Sequence, residues 1–155
     1  MPTRTLARTE TVELLELELT LLARHQLSSA HHNPDLVLDR SAYQLLGRLE
    51  LDPLSLKQLA EAFRLDISTV NRQIAALRRK GLVERIADPA GGIAQLLRPT
   101  RKGLTLLRAD RVTRHGQIDQ VLDGWAPEEV EQLHALLAKF NLSIEGLEGQ
   151  SWPRP

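Results

Sequence analysis

The sequence predicts a mainly α-helical fold interrupted by one small β-hairpin. Three observations carry that expectation. Apolar residues recur at helical spacing along most of the 155 residues. Aromatics make up 3% of a chain that is 42% hydrophobic. The core therefore has to be built from Leu, Ile, Val and Ala, which suits helix-on-helix packing better than an aromatic-rich sandwich. Finally, the β-like segments flank a single stretch of turn chemistry, Asp88-Pro89-Ala90-Gly91-Gly92. The length fits one domain with a real core and is short for two.

The first helix is expected over residues 10 to 30, where Leu14, Leu15, Leu17, Leu21 and Leu22 cover more than one stripe. His31-His32-Asn33-Pro34 should break it. Ser41 is read as opening a second helix through Leu45, Leu46 and Leu49, which ends near Asp52-Pro53. Ser55 is a natural N-cap for a short third helix, Leu56 to Phe63, with Leu56, Leu59, Ala60 and Phe63 facing inward. After a tight Arg64-Leu65-Asp66 connection, a fourth helix runs from Ile67 to Lys80. Gly81 then supplies a left-handed stop. Leu82 to Ile86 and Ile93 to Arg98 are the two strands. A long helix follows from Thr100 to about Asp123. A last one starts at Pro127, with Glu128 and Glu129 at its dipole-favoured end, and is expected to bury Val130, Leu133, Leu136, Leu137 and Phe140. The Gly- and Pro-containing segment 146–155 is expected to be a disordered tail.

Composition excludes several classes of function. With no cysteine there is no disulfide framework, thiolate metal site or cysteine redox switch. No apolar run approaches the roughly 20 residues that span a bilayer, and the N-terminus lacks a signal-peptide core, so a cytoplasmic protein is expected. No nucleophile elbow, phosphate-cradling glycine loop or metalloprotease motif is present, so neither an enzyme nor a bound cofactor is expected. His31 and His32 are adjacent and project in different directions, which fits a loop better than a metal site. The zero net charge hides an asymmetry. Ser55 to Lys102 holds ten Lys or Arg against four Asp or Glu, for +6, and the rest of the chain carries −6. A basic middle between acidic ends is the footprint of a region that meets a polyanion, although chance clustering on a solvated face would look the same.

The fourth helix sharpens that reading. On a wheel of 100° per residue, Ile67, Val70, Ile74 and Leu77 share one arc. The opposite arc carries Ser68, Thr69, Arg72, Ala75, Ala76 and Arg79, flanked by Asn71, Gln73 and Arg78. The helix holds four bases and no acid. Arg forks to guanine, Asn and Gln pair with adenine, hydroxyls reach bases or phosphates, and alanines permit close approach. The plainer alternative is a set of arginines that merely keep a surface helix soluble.

Taken in order, Leu54-Ser55-Leu56-Lys57-Gln58-Leu59-Ala60-Glu61-Ala62-Phe63, Ser68-Thr69-Val70-Asn71-Arg72-Gln73-Ile74 and Leu77 to Arg85 resemble the MarR family of regulators. The likeness continues through Leu97-Arg98-Pro99-Thr100-Arg101-Lys102-Gly103 and Trp125-Ala126-Pro127-Glu128-Glu129. The resemblance implies a winged helix-turn-helix with a small β-hairpin wing plus N- and C-terminal dimerisation helices. Residues 40–103 would form the DNA-binding lobe, and residues 10–30 and 104–145 the dimerisation helices. It implies a homodimer on pseudo-palindromic double-stranded DNA, acting as a repressor, with Ser55, Lys57, Ser68, Thr69, Asn71, Arg72, Gln73, Arg79, Arg85 and Arg98 as contacts. In one respect the sequence departs from the family. The wing usually carries Asp-x-Arg, and the corresponding positions here are Gly91, Gly92 and Ile93. Wing contact would then be weak or move to Arg85 or Arg98. A protein-interaction module with weakened or lost DNA binding is the alternative reading.

Such regulators often answer to small aromatic or phenolic anions. Arg108, Arg111 and His115 lie on an otherwise apolar stripe of the long helix, and with Arg24, His25 and Tyr43 they are candidates for an effector pocket. Ion pairs between subunits, with Glu10, Glu13, Glu16 and Glu18 of the first helix, would explain the same bases without a ligand.

Overall fold

The computed structural model describes residues 3–25 and 34–154, with side chains from Ala7 onward. Its elements in order are α1 (Thr3–His25), α2 (Arg40–Leu51), α3 (Leu56–Phe63), α4 (Ile67–Arg79), β1 (Val83–Ala87), β2 (Gln95–Pro99), α5 (Arg101–Val121) and α6 (Pro127–Glu148). The order is as expected, and the ends differ locally. α2 is capped by Asp39, whose carboxylate accepts the Ala42 N–H at 2.8 Å, and Ser41 lies inside the helix. The hairpin is shifted by one or two residues, pairing Val83 with Pro99 and Ala87 with Gln95. The expected His31-His32 break, and the end of the span predicted for the first helix, fall outside the described residues.

The core lies within the lobe built by α2, α3, α4, the hairpin and the start of α5. Leu38, Leu45, Leu46, Leu49, Leu59, Val70, Ile74, Leu77, Leu82, Leu97 and Leu107 are buried in one cluster. Aliphatic side chains make this core, as the scarcity of aromatics required. An isolated bridge joins Leu54 to Leu97 through hydrogen bonds of 2.8 and 3.2 Å. It lays Leu54, two residues ahead of α3, along β2 as a third, minimal strand, and so ties the hairpin to the helix-turn-helix. α5 begins tight against β1. A Cβ on Gly103 would stand 2.2 Å from the Leu82 carbonyl oxygen, so only glycine lets the helix start there. The architecture is a winged helix-turn-helix.

A buried polar knot joins α5 to the segment before α2. Asp110, 1% exposed, accepts the backbone N–H groups of Val37 at 3.0 Å and Leu38 at 2.7 Å. One turn on, buried Arg114 stacks its guanidinium 3.9 Å from the centre of the Tyr43 ring.

The flanking helices correct two expectations. α6 has no buried residue within the chain: Leu136 is 66% and Leu137 41% exposed, and Leu133 and Phe140 are open too. Val12, Leu14, Leu15, Leu17 and Leu22 of α1 are likewise exposed. The segment from Gly146, expected to be disordered, continues α6 to Glu148 and then folds back on the lobe. Trp152 packs edge-to-face on Phe63 with ring centres 5.1 Å apart. The edge-to-face aromatic contact and several hydrogen bonds outweigh the local Gly and Pro content.

Candidate nucleic-acid interface

α4 and the elements that hold it form the candidate interface. α3 is held at its start by a capping box. The Ser55 hydroxyl accepts the Gln58 N–H at 3.2 Å, and the Gln58 side chain accepts the Ser55 N–H at 2.8 Å. The chain then turns through Arg64, whose φ of 53° is the single positive value at a non-glycine among the described residues. Leu65 N–H closes the turn on the Ala60 carbonyl at 3.0 Å. Val70, Ile74 and Leu77 anchor α4 to the core. Gly81, with φ of 70°, ends it as expected. Ile67, assigned inward from the wheel, is 52% exposed. It sits in the first turn, ahead of the point where the core reaches the helix.

That anchoring leaves the opposite face to solvent. Ser68, Asn71, Arg72, Arg78 and Arg79 are exposed, and Thr69, Gln73, Ala75 and Ala76 are half-buried. Arg72 leans on its own helix, donating to the Thr69 hydroxyl at 3.4 Å. No carboxylate pairs with any base of this helix among the described residues. An exposed row of donors and amides without a paired acid, on a rigid helix, is suited to base edges and phosphates.

The remaining candidates divide. Lys57 is exposed, loosely paired with Glu61 at 3.9 Å. Arg85 is exposed on β1. Arg98 stands opposite Glu84 in the hairpin register and is bound to it at 2.7 Å, a tie that cross-strand pairing makes and spacing alone does not reveal. Ile93 projects fully from the wing tip.

The effector candidates are not brought together. Arg24, His25 and His115 are exposed and line no cavity near Tyr43. Tyr43 and Arg111 do line a cavity of about 850 Å³ between α2, the end of α3, α6 and the C-terminal segment. Arg111 is neutralised there by Glu50 at 2.7 Å, and Arg108 approaches the same carboxylate at 3.8 Å. The Glu50 hydrogen bond, with a lesser one from Tyr43, holds the Arg111 pKa above its ordinary value against the opposing effect of burial. The acid that answers these bases thus comes from α2 of the same chain, a partner 61 residues from Arg111 that helical periodicity within α5 does not point to. Arg48, passed over in the sequence, lines the cavity with Nε and Nη1 buried and without a hydrogen-bond partner. Among the described residues no three His, Asp or Glu side chains gather as a metal ion would need, and no helix is long and apolar enough to cross a membrane.

The comparisons with known proteins agree with this geometry. The model of the MarR family matches residues 38–92, the lobe from the start of the core to the wing. Over 134 residues the chain is 41% identical to the uncharacterised HTH-type transcriptional regulator YxaD of Bacillus subtilis, covering 84% of this chain and 92% of that one. The HTH-type regulator YybA of the same organism is 30% identical over 112 residues, covering 72% and 75%. A crystal structure of MarR shares the fold, with a TM-score of 0.73 at 20% identity over 88% of this chain and 93% of that one. The exposed acid-free helix, the hairpin beside it and these likenesses converge: the chain belongs to the MarR family of DNA-binding, winged helix-turn-helix transcriptional regulators.

Proposed function

We propose that this regulator is a cytoplasmic repressor that binds a pseudo-palindromic operator as a homodimer and is released by a small aromatic anion. The observation that carries the DNA-binding part is the outward face of α4, where Ser68, Asn71, Arg72 and Arg79 are exposed on a helix without an acid. Thr69 and Gln73 flank that face, with Ser55, Lys57 and Arg85 as outlying contacts. Arg98 has to leave Glu84 to reach a phosphate. The dimer is supported by the open leucine faces of α1 and α6. Apolar surface on that scale is what a second copy covers, since burial contributes about 25 cal/mol per Å². Two half-sites joined in one dimer also gain avidity without any new contact.

Binding to duplexes selected from sheared host DNA tests this reading. If each lobe brings about three to five of its bases to phosphates, affinity should fall by about 10³- to 10⁵-fold between 50 and 200 mM salt. Retention of no fragment, together with salt-insensitive association with a protein, would decide for the interaction module instead.

For the effector, the cavity beside Tyr43 supports an anion held by Arg48 rather than by Arg111, which Glu50 already satisfies. An aromatic acid present at about 100 times its Kd should add roughly 2.7 kcal/mol of stability in a thermal-shift measurement. The Arg48→Ala variant should lose that gain. An equal shift in both proteins would remove Arg48 from the reading.

A further inference from the structure

Beyond the dimer and the DNA-reading helix, the C-terminal segment makes a set of contacts that neither role uses. After Glu148 the chain turns at Gly149 and runs across the end of α3. Gln150 grips the turn of the helix-turn-helix from two directions. Its Nε2 donates to the Glu61 carbonyl at 2.9 Å, and its Oε1 accepts from Arg64 Nε at 3.3 Å. The Arg64 guanidinium is also paired with Glu148, at 2.6 Å. Trp152 closes over the same spot, edge-to-face on Phe63 and 6.0 Å from the Arg48 guanidinium. The segment is tied down at its far end as well. Arg154 bonds Glu145 with both terminal nitrogens, and the Trp152 N–H donates to Glu145 at 3.1 Å. Arg154 first, and the Trp152 N–H after it, hold the Glu145 carboxylate below its ordinary pKa.

The residue gripped most closely is Arg64, in the left-handed conformation that side chains of this kind seldom adopt. It lies three residues ahead of Ile67, where α4 begins, so its backbone sets the angle at which α4 leaves α3. A side chain fixed by Glu148 and Gln150 has fewer ways to leave that conformation. Glu148 belongs to α6, the helix whose open face is offered to a second copy.

We infer that residues 149–154 form a strap, with Trp152 as its positioning residue, that fixes the helix-turn-helix corner to α6 and so presets the recognition helix. Trp152 is not among the proposed DNA contacts. It acts through Phe63, Arg48 and the Arg64 corner. Coupling of this kind is reciprocal: if the docked strap favours DNA, bound DNA favours the docked strap.

The inference rests on the proposed DNA-binding function, and its test separates the two. In the full-length protein, Trp152→Ala should weaken binding to a duplex selected from host DNA by about five- to tenfold, within the usual range of site-to-site coupling. The log–log salt slope should stay unchanged, because no phosphate contact is lost. Amide hydrogen exchange at Arg64 and Leu65 should quicken while that of Leu45 and Leu46 in α2 stays slow. Trp152→Phe, which keeps an aromatic edge for Phe63, should restore both readouts. Unchanged exchange at Arg64 and Leu65 in Trp152→Ala, or full duplex affinity there, overturns the strap. If the wild type binds no duplex, the DNA-binding reading fails, and the exchange rates still decide whether the corner is held.

Discussion

Replacing Asp110 by alanine is expected to lower stability by about 2–4 kcal/mol, more than any surface change in this chain. The carboxylate is 1% exposed and accepts two backbone N–H groups, from Val37 at 3.0 Å and Leu38 at 2.7 Å. Its removal strands the Leu38 donor inside the lobe and takes the partner from the part-buried bond of Val37, a residue that is itself exposed. A buried donor without a partner costs about 1–3 kcal/mol, and the lost Val37 bond adds about 0.5–1.5 kcal/mol on the same short segment. That segment is continuous with the Asp39 cap of α2, so the damage should reach the packing of α2 on α5. For a domain of this size the change corresponds to a fall in Tm on the order of 10 °C. Asp110→Asn keeps one acceptor and should cost less. Urea unfolding of the two variants checks the order, and a loss below about 1 kcal/mol for the alanine variant would show that the knot is not structural.

The second large effect is on binding. Arg72→Ala should weaken operator affinity by about 1–3 kcal/mol and relax base preference at one position in each half-site. Arg72 is exposed, and its one polar contact among the described residues is the 3.4 Å hydrogen bond to Thr69 on the same helix. The fold does not depend on it, and unfolding free energy should stay within about 0.5 kcal/mol of wild type. A loss of affinity without a loss of stability therefore locates the defect at the interface. Comparing bound sequences recovered by the two proteins separates base reading from phosphate binding. If Arg72 touches phosphate alone, affinity falls evenly across sequences and the salt slope drops by about one. Unaltered affinity and preference would remove Arg72 from the contact set.

Much of the lobe was legible in the amino-acid sequence because its signals are local. The Ser55 capping box, the stop at Gly81 and the 100° wheel of α4 each involve residues within one or two turns. The turn cluster at Asp88 to Gly92 marked the hairpin in the same way. Legibility failed where an assignment depended on an absent neighbour or a distant one. The wheel places Ile67 on the same arc as Val70, yet at the very start of α4 it is left 52% exposed. The apolar faces of α1 and α6 are legible as apolar, yet among the described residues of one chain they stay exposed. The arginines of α5 were recognised as needing a carboxylate. Within the chain, Glu50 of α2 answers Arg108 and Arg111, a partner that periodicity along α5 does not reveal.

The sequence by itself determined the order of helices and hairpin, the aliphatic core, the basic middle and the acid-free face of α4. These follow from periodicity, capping and composition, which act over a few residues at a time. Tertiary structure alone decided that Asp110 would hold a segment 72 residues away, that Arg98 would be spent on Glu84, and that Trp152 would close on Phe63. Each of those pairings depends on a strand register or a long-range packing that the local sequence does not specify. Only the packed geometry of the whole chain brings the partners within hydrogen-bond or ring-contact distance.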